Sequence, residues 1–192
     1  MLTIFSVHKA VREEEMSGVN NSESDLVVDP VDEGVFRDVV GRFVTGVTIL
    51  TGSSEGRNHG MVVSAFSSLS VDPPMVLVCA NRKSRTQDTV RKSGAFGVNV
   101  LAEHQHDLVR LFSSAEPEKF SGVLWSPSEQ LGLPLLTGVL GWLECRVIKE
   151  FEVATHAVFM GEVLGAGARG GAPLAYFRGG FDRLVGTLTD GN

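Results

Sequence analysis

Apolar positions fall at helical spacing near the start of the chain's apolar part. Val35, Phe36, Val39, Val40 and Phe43 follow Asp32 and Glu33, which predicts a helix from one of those acids to about Phe43, ended by Gly46. Beyond it the pattern changes to short β-branched and apolar runs divided by Gly, Pro, Asn and Asp. The run 47–51 predicts a strand stopped by Gly52-Ser-Ser-Glu-Gly56. Runs 59–70 and 75–80 predict the next two strands, parted by Asp72-Pro73-Pro74, because two prolines cannot sit in a central ladder. Residues 84–92 read as a helix, 96–101 as a buried strand and 102–112 as another helix. Strands at 141–153, 156–166 and 174–177 complete the pattern. Six or seven strands at hairpin spacing, with few and short helices, predict a mainly β fold closed into an antiparallel barrel. Residues 113–138 hold Pro117, Pro127, Gly132 and Pro134 and read as a loop. That is longer than a plain connection, so the loop is predicted to cover a site or a partner.

Two boundaries follow. Residues 1–31 are polar, acidic and without hydrophobic period, apart from a short helix predicted at 8–16, and read as a flexible tail; residues 32–187 read as one domain. Residues 1–34 hold eight acids (Glu13, Glu14, Glu15, Glu23, Asp25, Asp29, Asp32, Glu33) against Lys9 and Arg12, so they carry the whole net charge of −6 and the body is neutral. A neutral body argues against nucleic acid as a partner but leaves room for a local cationic pocket. Cys79 and Cys145 sit apart in apolar runs and read as reduced core residues of a cytoplasmic protein. Neither a metal-ligand spacing nor an apolar run long enough to span a membrane is present, and the acids after the first residues make a poor signal peptide.

The chemistry concentrates in residues 60–86. On a continuous strand Ser64, Phe66, Ser68 and Ser70 share one face, and Val63, Ala65, Ser67 and Leu69 the other. Such hydroxyls either bind the polar edge of a flat ring or lie on the solvated face of an edge strand. Asn81-Arg82-Lys83-Ser84-Arg85-Thr86 then brings cations and hydroxyls to a strand-to-helix junction. Free N–H groups and the helix dipole there suit a phosphate; a solvated basic turn fits the same residues. Thr45-Gly46-Val47-Thr48 is either a close approach to a ligand or a helix C-cap entering a strand. His156, at a strand start, either shapes a second-substrate pocket or satisfies itself in the core, whereas His59, His104 and His106 read as solvated. Tyr176 and Phe181 either stack on a ring or pack the core. No Walker loop and no GxGxxG is present.

In order and spacing, Arg42-Phe-Val-Thr-Gly-Val-Thr48, Gly60-Met-x-x-Ser64, Ser68-x-Ser70-x-Asp-Pro-Pro74, Asn81-Arg-x-Ser84-Arg-Thr86, Phe96-x-Val-Asn99, Gly132-x-Pro134, Thr155-His156 and Pro173-Leu-x-Tyr176-Phe resemble the flavin reductase-like family. The resemblance implies an antiparallel split β-barrel of the FMN-binding, Greek-key type with a few flanking helices, usually a homodimer. It implies FMN or FAD as cofactor, NADH or NADPH as hydride donor, and a separate oxygenase that receives the reduced flavin. It further implies that Thr45, Gly46, Val47, Met61, Val62, Val63, Ser64, Ser67, Ser68 and Leu69 line the ring and ribityl chain. Asn81, Ser84 and Thr86, with Arg82 or Lys83, would meet the phosphate; His156 would position the nicotinamide, and Phe181 matches a frequent aromatic. Val62 stands where many members have Thr, and Ala154 where many have Gly. The rival reading is a flavin-binding protein without turnover, acting as a store, sensor or electron-transfer module.

Overall fold

The computed structural model describes residues 29–184. The helix predicted at 8–16 and the predicted tail, residues 29–31 apart, lie outside them. Helix α1 (Glu33–Gly41) is followed by β1 (Thr45–Gly46), β2 (Thr48–Ser54), β3 (Arg57–Val63), β4 (Phe66–Val71) and β5 (Pro74–Asn81). Helix α2 (Arg85–Ser93), β6 (Ala95–Val100) and α3 (His106–Ser113) come next. The chain ends in β7 (Trp125–Pro127), β8 (Pro134–Leu136), the long pair β9 (Gly141–Val153) and β10 (His156–Ala168), then β11 (Leu174–Phe177) and β12 (Gly180–Arg183).

Seven strands form one sheet in the order β3-β2-β6-β9-β10-β5-β4, every neighbour antiparallel. Its two edge strands, β3 and β4, are consecutive in the chain and joined only by Ser64 and Ala65. So short a link holds one end of each edge beside the other, which curls the sheet into a barrel with a seam. Ala65 reinforces the seam by accepting from Cys79 N at 3.0 Å. A small sheet, β1-β11-β12, and the β7–β8 pair flank the barrel.

Strand β2 explains why its run is apolar throughout. Leu50 packs into a core with Val78, Phe96, Val98 and Phe159, while Ile49 and Val47 pack into a second core with Leu101, Phe112 and Leu174. A strand covered on both faces shows no alternation. The second core is roofed by the 113–138 segment, where Phe120 meets Phe112 and Trp125 edge-on, ring centres 5.3 and 6.1 Å apart.

The structure corrects several sequence-based boundaries. Gly46 does not end the first helix but lies in β1, paired with Ala175. The 52–56 stop shrinks to Glu55 and Gly56, with φ of 53° and 72°, the left-handed pair that a tight hairpin needs, so β2 runs on to Ser54. The predicted 59–70 strand is two strands broken at Ser64–Ala65, and a register shift between Ser68 and Ser70 ends the simple alternation of hydroxyls. Strand β4 is an edge, so the solvated-edge alternative describes these serines in the single chain. Short strands β7, β8 and β12 lie where no strand was expected, each too brief to leave a periodic pattern.

Candidate active site

A cavity of about 530 Å³ opens where the outer edge of β3 meets the start of α2 and the 112–119 segment. Asn81 ends β5 and organises the turn into α2: its carbonyl accepts from Ser84 N at 3.0 Å and its Oδ1 from Lys83 N at 2.9 Å. Ser84 then caps the helix, its Oγ accepting from Gln87 N at 3.1 Å, and lies 3.2 Å from the Met61 sulfur on β3. Gly60 permits this junction. A Cβ there would sit 2.5 Å from the Phe112 ring, so only glycine lets β3 pass so close to α3.

The walls are cationic. Lys83, Arg85 and Lys119 line the cavity against one carboxylate, Glu116, and the Lys83 and Arg85 side chains make no ion pair among the described residues. Lys119 Nζ donates to Phe112 O at 2.7 Å and Gly60 O at 3.4 Å, tying the 113–119 segment to α3 and β3. Burial, then the Arg85 charge, lowers the pKa of Lys119. Burial, then Arg85, Arg57 and Lys119, lowers that of His59, with Glu118 alone opposing. Thr86 is only 3% exposed and lines the cavity, yet its hydroxyl has no hydrogen-bond partner among the described residues. Mutually repelling cations around a helix N-terminus, with the Thr86 hydroxyl in the cavity wall, make a well for an anion.

Met61, Val62, Lys83, Ser84 and Thr86 of the predicted set line this cavity. Val63 is buried where β3 ends, Ser64 is exposed in the link, and Ser67, Ser68 and Leu69 are exposed along β4; none of the five lines this cavity. Arg82 departs from expectation. Its guanidinium pairs with Glu152 at 2.6 Å and donates to Ala154 O at 3.2 Å, facing the β9–β10 turn and not the cavity. Thr45, Gly46 and Phe181 belong to the flanking sheet, where Thr45 pairs with Tyr176 and the Phe181 and Tyr176 rings lie 5.2 Å apart. The Thr45 hydroxyl is buried with no hydrogen-bond partner among the described residues. Val47 is fully buried in the core. His156 opens β10, exposed, in register with Asn81, its Nδ1 2.8 Å from Thr155 Oγ1. It stands beyond Asn81, outside the cavity wall.

Sequence reasoning missed His59, Arg85 and Lys119 as cavity residues. His59, expected to be solvated, is half-buried in the wall; it shares a strand face with Met61 two residues on, and that alternation was the available signal. Arg85 sits in the cationic turn, where Arg82 and Lys83 were preferred. Lys119 lies in the long loop and has no local pattern to reveal it. Among the described residues no group of three His, Cys, Asp or Glu side chains is placed to hold a metal, and no helix is long and apolar enough to cross a membrane.

The family model described as flavin reductase like domain matches residues 40–185. The chain belongs to the flavin reductase-like family. It is 42% identical over 159 residues to the reductase component of a 4-nitrophenol 4-monooxygenase/4-nitrocatechol 2-monooxygenase from Rhodococcus opacus, covering 83% of this chain and 85% of the relative. Its fold matches nitrilotriacetate monooxygenase component B from Mycobacterium thermoresistibile with a TM-score of 0.79 at 37% identity, over 84% of this chain and 91% of the other. It also matches the NADH:FAD oxidoreductase SgcE6 of Streptomyces globisporus in complex with NAD and FAD fragments, with a TM-score of 0.78 at 31% identity, over 85% and 99%. The flavin reductase-like chain thus has the split-barrel fold, and its function is flavin reduction with FMN or FAD and a reduced nicotinamide. The site fits such a cofactor: the Thr86 hydroxyl, the α2 N-terminus and the surplus of cations match a phosphate.

Proposed function

We propose that this chain is the NAD(P)H:flavin reductase component of a two-component monooxygenase, with the flavin phosphate held at the start of α2. The observation that carries the placement is the cationic cavity with the idle Thr86 hydroxyl. A bound flavin supplies the hydride acceptor, so the protein's work is binding, orientation and electrostatics. Ser84, Thr86, Lys83 and Arg85 hold the phosphate. Met61 and Val62 flank the ribityl chain, and Val62, which carries no hydroxyl, contributes apolar contact where a Thr would donate. The seam residues Val63, Ser64, Ser67, Ser68 and Leu69 present backbone N–H groups and hydroxyls to the ring edge, where they stabilise negative charge. Thr45, Gly46 and Phe181 contribute to the far side of the ring site from the flanking sheet, and Val47, buried in the core behind them, holds that strand in place. Arg82 acts through the turn: its ion pair with Glu152 ties the α2 entry to the β9–β10 turn that carries His156. His156 positions the nicotinamide, and no proton transfer is asked of it.

The reading includes a homodimer. Phe36, Val39 and Val40 on α1 and Phe43 beyond it are 53–74% exposed, and a second copy covers them. It includes a separate oxygenase that takes the reduced flavin, a reading supported by relatives named as a monooxygenase's reductase component and as a monooxygenase component B. It also includes a cytoplasmic setting, supported by the two free thiols, with Cys145 pushed up to about 12 by burial and then by Glu144, and therefore inert. The test is aerobic oxidation of NADH or NADPH, followed at 340 nm, with catalytic FMN or FAD. Turnover supports the enzyme; a yellow protein that leaves the nicotinamide untouched supports a store or sensor. His156→Ala is expected to raise the nicotinamide KM while flavin still binds, and unchanged reduction kinetics remove His156 from the site.

A further inference from the structure

Helix α2 and the residues that lead into it grip the β9–β10 turn at two points. Before the helix starts, Arg82 N donates to Thr155 O at 3.1 Å, and the Arg82 guanidinium donates to Ala154 O at 3.2 Å and pairs with Glu152 at 2.6 Å. From the last turn of α2, Arg91 donates to Glu150 through Nε at 2.9 Å and through Nη2 at 2.6 Å, and Nη2 also reaches Glu152. Glu152 is therefore the link that both arginines share. An isolated surface ion pair contributes little, but two guanidinium forks closed on one carboxylate select a single geometry.

The turn they grip is a strained one. Ala154 has a φ of 48°, in the left-handed region that an alanine enters only at a cost. Thr155 and His156 follow at once, with Thr155 Oγ1 2.8 Å from His156 Nδ1 and His156 in register with Asn81. Resting on the reading that His156 positions the nicotinamide, we infer that Glu152 is a positioning residue for hydride transfer. Through Arg82 and Arg91 it holds Ala154 in the left-handed turn and so fixes where the His156 ring stands. The network sets two arginines against two glutamates, so it presents no net charge to either nucleotide. Its action is on geometry, to which the approach of two reacting groups is sensitive.

The test uses Glu152→Gln in the full-length protein, which keeps the shape and removes the charge; a thermal melt checks that the variant is folded. Its kcat/KM for NADH or NADPH is expected to fall about tenfold, mainly through KM. FMN affinity by calorimetry should stay within about twofold, and amide hydrogen exchange at residues 154–156 of the flavin-free protein should quicken about tenfold. In a His156→Ala background Glu152→Gln should add no further loss. Ala154→Gly makes the left-handed turn free of strain, so it should restore most of the nicotinamide kinetics of the Glu152→Gln protein. Unchanged nicotinamide kinetics in Glu152→Gln, an equal loss of FMN affinity, or a loss that Ala154→Gly leaves whole would overturn the inference. A costly His156→Ala beside a silent Glu152→Gln overturns this inference alone, whereas a silent His156→Ala overturns the reading beneath it as well.

Discussion

Two groups of polar side chains flank the barrel, one buried and one open to the cavity, and they are completed differently. Under the β7–β8 pair, Thr51 donates to Pro134 O at 2.8 Å, and Asn99 accepts from Leu136 N at 2.7 Å while donating to Ile49 O at 3.2 Å. Glu144, 1% exposed, accepts from Ser128 Oγ, from Leu131 N and from Gln130 N at 3.0 Å. Thr51, Asn99 and Glu144 Oε1 are each completed by partners within the protein. At the mouth of α2 the opposite holds: the Thr86 hydroxyl is idle, and Arg85 faces His59 and Lys119 with no ion pair of its own among the described residues. Buried polarity completed by the chain builds structure, and polar groups left uncompleted at a cavity wall are available to a ligand. Substitutions in the first group should therefore cost stability and spare flavin affinity, and those in the second should do the reverse.

The largest effect is expected at Glu144. Glu144→Ala takes away the buried acceptor of three donors, of which Ser128 is itself buried, and should lower unfolding stability by about 3 kcal/mol or more, read by urea denaturation. FAD affinity of the folded protein should stay within about twofold. A loss below about 1 kcal/mol would erase the contrast. Next comes Arg85→Ala, which removes a charge aimed at phosphate and should weaken flavin binding roughly 30-fold. The exposed side chain contributes little to the fold, so the stability of the free protein should change by less than about 0.5 kcal/mol. Thr86→Val keeps the shape and removes the hydroxyl. Affinity should fall about fivefold, with the melting temperature unchanged or higher.

The smallest effect is in pH. The pKa of His59 is lowered from 6.5 by burial and by Arg85, Arg57 and Lys119, against Glu118. Below pH 6.5 the unfolded chain takes up a proton that the folded chain declines, so the free protein loses stability as pH falls through that range. A bound diphosphate offsets the surrounding cations and raises the pKa again. FAD affinity should therefore tighten, by about threefold, as pH drops from 7 to 5.5, and His59→Gln should flatten the profile. An unchanged slope in that variant would detach His59 from the site.

Much of the barrel was legible because strong breakers, Asp72-Pro73-Pro74 and Gly94, divide elements where the pattern predicts. The break at Ser64–Ala65 was hidden, since neither residue is a breaker and the bend is imposed by closing two sheet edges together. Strand β2 showed no alternation because two cores claim its two faces. In the site, the turn Asn81–Thr86 could be read because a cap, cations and a strand end fall within a few residues. Lys119 and Glu144 could not, because each works through partners distant in the chain, and Arg82 was misplaced because Glu152, which captures it, lies 70 positions on.

The most direct measurement compares riboflavin with FMN, which differ only by the phosphate, in calorimetric titrations of the wild type and of Arg85→Ala. If the α2 mouth holds that phosphate, the wild type binds FMN at least 30-fold more tightly than riboflavin, and most of the difference disappears in the variant. Equal affinities for the two flavins in the wild type would contradict the assignment of this cavity.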